Sequence, residues 1–173
     1  MRIILISNFL FFTLLIACHN PNPNLDEKGQ DELMVLEMKG KISDNQQKYK
    51  DVIYIPIYSD IYIDQLNQNS LLAATLSIRN TSFSDSIYIS KIDYYNTTGE
   101  LVKSYIDNFI SLKPMATVNY VIQKEDISGG QGANFIVELS SESTNVRPLI
   151  QAIMIGENGN KGFAFSTDGY SIK

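Results

Sequence analysis

The stretch LLAATLSIRNT, from Leu71 to Thr81, decides the fold class, because its apolar and polar residues alternate. A period of two places successive side chains on opposite faces of a β-strand, whereas a helix needs a period near 3.6. One face of the predicted strand carries Leu72, Ala74, Leu76 and Ile78, and the other carries Thr75, Ser77 and Arg79. We therefore predict a β-strand at this position.

Similar runs of β-branched and aromatic residues recur on both sides of this stretch, bounded by Asn, Asp, Gly, Ser and Pro. They are DVIYIPIYS, SIYISKIDYYN, TTGELVKSYIDNFI, LKPMATVNYVIQK, ANFIVELS, PLIQAIMIG, GFAFS and YSI. About eight or nine short strands without helical stripes between them exclude a parallel α/β sheet. We predict an all-β fold, an antiparallel two-sheet sandwich that is immunoglobulin-like in its general architecture. The alternative is a partly open β-barrel.

Composition restricts the chemistry that the chain can perform. The net charge of −5 and the absence of basic runs argue against a nucleic-acid partner. The only His and the only Cys are adjacent, at His19 and Cys18, so the later part of the chain offers neither a His base nor a zinc ligand. We predict a protein that is not an enzyme and that needs no cofactor or metal.

The chain begins MRIILISNFLFFTLLIAC, in which Arg2 precedes a short apolar run. This order is typical of a secretory signal, and the run is short for a membrane span. LIAC, ending at Cys18, resembles the lipobox of bacterial lipoproteins. That resemblance implies a signal peptide over residues 1–17 and a lipid, such as diacylglyceryl with palmitate, on Cys18. The alternative is an ordinary signal peptide with an accidental Cys.

Residues 18–50 are rich in Asn, Pro, Asp, Glu, Lys and Gln, which predicts a lipidated Cys followed by a flexible linker. The exception is ELMVLEM, at 32–38, which fits either a short helix or a strand that docks on the domain. The predicted sandwich occupies residues 51–173.

The segment DISGGQGANFIVEL, at 126–139, looks like a phosphate-binding glycine loop. A dinucleotide cradle needs a helix after the glycines, and NFIVEL instead alternates as a strand does. We interpret the segment as a hairpin or inter-sheet connection whose glycines adopt positive φ. Alternatively, its backbone forms a nest for an anion or a partner. The residues of that candidate surface are Asp126, Ser128, Gly129, Gly130 and Gly132.

Tyrosines supply the second candidate surface. Tyr54, Tyr58 and Tyr62 recur every fourth residue, and Tyr94 and Tyr95 are adjacent. On one continuous strand, Tyr54 and Tyr58 would share a face. Rows of aromatic rings suit sugar stacking or a protein interface. The alternative is that these tyrosines cover the edges of the core.

Scattered oxygen ligands make calcium a better candidate metal than zinc. The candidates are Asp60, Asp64, Asp126 and the ENGN turn at 157–160, and their spacing matches no known calcium loop. We interpret them as solvated polar turns.

Five blocks read together resemble a family of bacterial exported proteins, domain-of-unknown-function family 3124. They are VIYIPIYSDIY, LAATLSIRNT, DYYNTTGELV, DISGGQGANFIVEL and AIMIG followed by GFAFS. The resemblance runs from about Val52 onward and implies no activity and no residue roles.

These features together predict a lipid-anchored protein of the bacterial cell envelope, facing the periplasm or the cell surface. We expect a binding or assembly module for a partner protein or a glycan. A small-ligand or calcium-binding domain and, less favoured, a hydrolase are the alternatives.

Overall fold

The computed structural model describes residues 37–38, 47–63 and 69–173, in which all regular structure is β-strand. There are twelve strands in this part of the chain. They are β1 (Glu37–Met38), β2 (Tyr49–Pro56), β3 (Asp60–Tyr62), β4 (Asn69–Arg79), β5 (Ile87–Tyr95), β6 (Leu101–Ser104), β7 (Phe109–Leu112), β8 (Thr117–Ile122), β9 (Asn134–Ser141), β10 (Leu149–Asn158), β11 (Lys161–Asp168) and β12 (Tyr170–Ser171).

The strands form two antiparallel sheets. The first sheet has the order β1-β7-β5-β9-β2-β12, and β6 pairs with β5 beside β7. The second sheet has the order β11-β10-β4-β3, and β8 pairs with β4 beside β3. Among the described strands neither sheet closes on itself, so the predicted two-sheet sandwich is confirmed and the barrel alternative is not.

The core lies between the sheets, where the predicted alternation places it. Leu72, Ala74, Leu76 and Ile78 of β4 are each 0% exposed. The inward residues of β8, which pairs with β4, and of β9 in the other sheet are buried as well, as predicted. They are Val118, Tyr120, Ile122, Phe135, Val137 and Leu139. Because the sheets bury their inner faces against each other, only the outer faces, the edges and the connecting loops remain available for binding.

The strand boundaries differ from the predicted runs in two places. TTGELVKSYIDNFI contains two strands, because the chain leaves β5 after Ser104 and returns to it at Phe109. DVIYIPIYS ends as a strand at Pro56, and the short strand β3 follows it. A proline lacks the N–H that a further ladder bond would use, which accounts for the break.

Part of ELMVLEM lies within the described residues. Glu37 and Met38 form β1, which pairs with Ile110 and Phe109 of β7, so for these two residues the docking strand is the correct alternative. Cys18 and the signal segment lie outside the described residues. The described residues include no helix that is long and apolar enough to cross a membrane.

Candidate functional site

The glycine loop, residues 123–133, connects β8 of the second sheet to β9 of the first, as expected of an inter-sheet connection. Its carbonyl oxygens accept hydrogen bonds from neighbouring segments. The Thr97 N–H and Oγ1 donate to the Gly129 oxygen at 2.9 and 3.0 Å, and the Ser59 N–H donates to the Gly130 oxygen at 3.0 Å. These contacts hold the loop to the neighbouring segments of the protein through its carbonyl oxygens.

Two glycines are required here for different physical reasons. Gly130 has φ of +72°, which a side chain rarely allows. A Cβ on Gly129 would stand 1.8 Å from the Tyr94 hydroxyl oxygen and 2.6 Å from Ser59 Oγ. The expectation of positive φ therefore holds for Gly130, whereas Gly129 is needed because its backbone lies directly on a tyrosine.

Tyr94 lies in the core beneath the glycine loop. It is 0% exposed, its hydroxyl oxygen is 2.9 Å from Ser59 Oγ, and its ring packs against Phe135 at 5.4 Å. The prediction that Tyr94 belongs to an exposed binding surface is therefore wrong. We call Ser59, Tyr94, Thr97, Gly129 and Gly130 the glycine-loop cluster.

Burial controls the acidity of the tyrosines at this end of the sandwich. It raises the pKa of Tyr94, and the nearby negative charge of Asp126 raises it further, although the hydrogen bond with Ser59 opposes the shift. Burial likewise raises the pKa of Tyr105, whose ring packs against Tyr120 at 5.3 Å. Burial thus keeps both tyrosines in the neutral form at neutral pH.

The acidic candidates serve local structure. Asp126 Oδ1 accepts the Ser128 N–H at 3.0 Å, which shapes the start of the glycine loop. Asp60 accepts a hydrogen bond from Asn69, and Glu157 pairs with Lys124. Asp64 lies outside the described residues. Within the described ranges, no three His, Cys, Asp or Glu residues are grouped as metal ligands would be.

The predicted tyrosine row is divided, because β2 ends at Pro56. The ring of Tyr58 packs edge-on against Phe165 of the second sheet, with 5.9 Å between the ring centroids, and borders the core. Tyr62 ends β3 and is 69% exposed. Of these three tyrosines, only Tyr54 lies on the outer face of the first sheet, so the expectation that Tyr54 and Tyr58 share a face is wrong.

A β-bulge in β5 brings other tyrosines to the face that carries Tyr54. The pairing of β5 with β9 shifts between Ile89 and Lys91. The extra residue keeps both Ile89 and Ile92 in the core, so Tyr88 and Tyr95 point to the outer face. Without the bulge, alternation would place them on opposite faces.

Four partly or largely exposed tyrosines therefore share the outer face of the first sheet. They are Tyr54, Tyr88, Tyr95 and Tyr170, and we call this surface the tyrosine face. Tyr170 pairs directly with Tyr54 across β12 and β2, which places their Cβ atoms about 5 Å apart. Strand spacing puts Tyr95 about 12 Å from Tyr54, two strands away.

Polar groups lie between the rings of the tyrosine face, and two of them form an ion pair. Lys91 Nζ is 2.7 Å from a carboxylate oxygen of Glu138, whose hydrogen bond raises the pKa of Lys91. Asp93 is buried and accepts the Ser104 hydroxyl at 2.7 Å, and the Tyr95 hydroxyl lies 3.5 Å from it. The surface thus combines aromatic rings and hydrogen-bonding groups with one ion pair and the carboxylate of Asp93.

The family model described as Protein of unknown function (DUF3124) matches residues 50–172. The chain belongs to the DUF3124 family. No curated protein matches it. A solved structure titled Crystal Structure of Thermotoga maritima 1070 is 17% identical, covers 69% of this chain and 92% of its own, and has a TM-score of 0.39. The family assignment confirms the sequence resemblance and adds no activity.

Sequence reasoning missed Tyr88 and Tyr170 of this DUF3124 chain. A signal for Tyr88 existed: Ile87 and Ile89 are two residues apart, whereas the next isoleucine, Ile92, follows after three. Such a break in a period of two indicates a bulge. For Tyr170 there was no comparable signal, because its place depends on the pairing of β12 with β2.

Proposed function

We propose that this DUF3124 protein is a lipid-anchored binding module of the bacterial cell envelope, and that its tyrosine face binds an extended, uncharged glycan. The observation that supports this proposal is the bulge in β5, which gathers Tyr88 and Tyr95 on the same open sheet face as Tyr54 and Tyr170. The proposal assigns binding and no catalytic step.

The chemistry of the face favours a glycan. Tyrosine offers an apolar ring for the C–H side of a sugar and a hydroxyl for its polar edge. Asn134 pairs with Tyr95 across β9 and β5, and Ser104 lies beside Asp93, so amide and hydroxyl groups stand close to the rings. Because the Lys91–Glu138 pair neutralises its own charges and Asp93 leaves a carboxylate beside Tyr95, the face favours an uncharged chain over an anionic one.

The resemblance of LIAC, at Leu15–Cys18, to a lipobox supports the anchor in this proposal. A lipid on Cys18, with a flexible linker up to residue 50, would restrict the domain to a thin layer beside the membrane. Restriction of this kind raises the effective concentration of the domain toward envelope glycans without any further contact.

Glycan binding is tested by screening the purified chain against an array of soluble envelope polysaccharides and peptidoglycan fragments. Calorimetry on the tightest ligand follows, with the wild type, Tyr54→Ala and Tyr95→Ala. Ring contacts of about 0.5–1.5 kcal/mol predict a roughly two- to twelvefold loss of affinity for each substitution.

Tyr62→Ala is the matched control, because Tyr62 is 69% exposed on a strand of the other sheet. Its affinity should equal that of the wild type. The proposal is contradicted if the array retains no glycan, or if Tyr62→Ala loses as much affinity as the variants of the tyrosine face. A partner protein would then be the next candidate ligand. The anchor has its own test: an alkyne-labelled palmitate should label the wild type in cells, and Cys18→Ala should lose the label.

A further inference from the structure

Three connections form the end of the sandwich that lies away from the glycine loop. They are residues 80–86 between β4 and β5, 113–116 between β7 and β8, and 142–148 between β9 and β10. Hydrogen bonds join them, since the Met115 N–H donates to the Ser82 oxygen at 3.1 Å and a hydroxyl of the first connection donates to a carbonyl of the third. We call these three connections the apical loops.

The apical loops hold large apolar side chains in water. Phe83 is 88% exposed and Met115 59%, and the bond between Met115 and Ser82 places Met115 beside Phe83. Met115 has φ of +60°, a conformation that residues with a side chain rarely adopt. Unusual backbone of this kind is concentrated at functional sites. Leu149, which follows the third connection, is 41% exposed.

Basic residues surround these apolar side chains. Four bases and two acids lie in the apical loops or adjoin them, and they are Lys48, Arg79, Lys113 and Arg147 against Asp85 and Glu142. The excess of two positive charges stands out in a chain whose net charge is −5. Among the described residues none of the four bases forms an ion pair, whereas Asp85 accepts the Ser84 hydroxyl at 3.0 Å. The next charged residues lie two or three positions deeper along the sheets, and they are Glu37, Lys50, Asp51, Asp168 and Lys173.

The opposite end of the sandwich has the opposite balance of charge. It also exposes apolar residues, among them Tyr62 at 69% and Ile127 at 64%. In its described connections and hairpin, four acids face two bases, and they are Glu100, Glu125, Asp126 and Glu157 against Lys124 and Lys161. Exposed apolar side chains and excess positive charge therefore coincide only at the apical end.

Both N-terminal strands begin on the side of the apical loops. β1 is antiparallel to β7, which runs toward connection 113–116, so Glu37 is the end of β1 nearer that connection. The Lys48 N–H donates to the Ser141 oxygen at 2.9 Å, which places the start of β2 there as well. Eighteen residues separate Cys18 from Glu37, and a flexible linker of that length spans about 23 Å. A lipid on Cys18 would therefore hold the apical end close to the membrane.

We propose that the apical loops dock on the surface of an anionic phospholipid bilayer, with Phe83 and Met115 among the acyl chains and the bases at the headgroups. Apolar side chains gain free energy by leaving water for the acyl boundary, and each base near an anionic surface adds attraction. This inference extends the lipid anchor proposed above, because it gives the anchored domain one orientation. The tyrosine face lies on the side of the sandwich and stays open to a glycan.

Single-tryptophan fluorescence tests which end of the domain meets the bilayer. The sequence has no Trp, so Phe83→Trp reports on the apical end and Tyr62→Trp on the opposite end. Each purified full chain is mixed with vesicles of phosphatidylglycerol and phosphatidylcholine in equal parts, with brominated acyl chains that quench only a Trp close to them. Phe83→Trp should be quenched and its emission should shift to shorter wavelength. Tyr62→Trp should keep the emission that it has without lipid.

Charge reversal tests the contribution of the bases. Each base near an anionic surface changes the docking equilibrium by about fivefold, so adding Lys113→Glu and Arg147→Glu to Phe83→Trp should remove most of the quenching. Vesicles of pure phosphatidylcholine should have the same effect. Lys161→Glu is the matched control, since Lys161 is an exposed base of the opposite end, and it should leave the quenching unchanged. A thermal melt of each variant establishes that it is folded.

Three results would overturn the proposal: no quenching of Phe83→Trp, equal quenching of Phe83→Trp and Tyr62→Trp, or the same loss from Lys161→Glu as from the double reversal. A partner protein would then be the next candidate for the apical loops. The Trp reports which end of the domain enters the bilayer, whatever segment holds the chain on the vesicle. The result is therefore separate from the palmitate label on Cys18 and from glycan binding.

Discussion

Tyr94 and Tyr95 are consecutive in the chain and belong to two regions with opposite properties. Tyr94 lies in the glycine-loop cluster, where its hydroxyl contacts Ser59 and the backbone of Gly129 leaves no room above it. Tyr95 lies on the tyrosine face, partly exposed and beside polar groups. A tyrosine in the sequence therefore indicates a binding site only when the face of the strand on which it lies is known.

The two regions should respond differently to substitution. In the cluster, polar groups satisfy one another inside the protein, so a change should lower the free energy of unfolding. On the tyrosine face, the rings stand at the surface, so a change should leave folding nearly intact and affect binding. The predictions below test this contrast in order of expected size.

Deletion of Ser90 should have the largest effect, because the bulge that separates the two regions depends on the extra residue. Without it, either Ile89 or Ile92 would turn outward and polar neighbours would turn into the core. We expect a loss of more than about 4 kcal/mol, enough to prevent folding. Circular dichroism and urea unfolding would measure it.

Ser90→Ala is the control for that deletion. Ser90 is exposed, and its hydroxyl makes only a long 3.4 Å contact with the Glu138 oxygen. The substitution should change stability by less than about 0.5 kcal/mol. A deletion variant that folds with near wild-type stability would show that the bulge does not determine which tyrosines face outward.

Gly129→Ala should have the next largest effect on the free energy of unfolding. Its Cβ would overlap the Tyr94 hydroxyl, and overpacking of a well-filled site costs about 1–3 kcal/mol. Urea unfolding would compare it with Gly162→Ala, whose Cβ would meet only the Gly156 oxygen, at 3.9 Å. The control should be neutral or slightly stabilising. Equal stability of the two variants would refute the tight contact between loop and tyrosine.

Tyr94→Phe and Tyr95→Phe form a matched pair in which each variant loses one hydroxyl. Tyr94→Phe leaves buried Ser59 Oγ without its partner and should cost about 1–2 kcal/mol. Tyr95→Phe loses only a 3.5 Å contact with Asp93 at the surface and should cost less than about 0.5 kcal/mol. Denaturant titrations would measure the loss of unfolding free energy in both variants. A larger loss in Tyr95→Phe than in Tyr94→Phe would contradict the comparison.

Alkaline pH should lower the stability of the folded protein gradually. The folded state raises the pKa values of Tyr94 and Tyr105 above the unfolded value of about 10, so it binds their protons more tightly. Their contribution is fully present below pH 10 and is lost as the pH rises through the folded pKa values. Tyr49, whose pKa is raised to about 12, adds to the same trend.

Unfolding free energies between about pH 8 and pH 11 would measure this loss. Tyr94→Phe should reduce the slope, because one of the contributing protons is removed. A stability that stays constant or increases over this range would contradict the assignment of Tyr94 and Tyr105 as buried, neutral groups.

Local alternation predicted much of the fold. The inward faces of β4, β8 and β9 could be read directly, because burial alternates with a period of two along β8 and along most of β4 and β9. The same rule failed for Tyr94 and Tyr95, since one extra residue in β5 changes which side chains face the core. The contact between Gly129 and Tyr94 joins residues 35 positions apart in sequence, so no local pattern could predict it.

Tyrosine-directed chemical footprinting, resolved by residue in a mass spectrometer, tests the central claim most directly. It compares the free protein with the protein saturated by the glycan selected on the array. We predict that Tyr94 is unreactive in both states, that Tyr62 reacts in both, and that Tyr54, Tyr88, Tyr95 and Tyr170 become protected when the glycan binds. Reaction of Tyr94 in the free protein, or protection of Tyr62 without protection of the tyrosine face, would contradict the account.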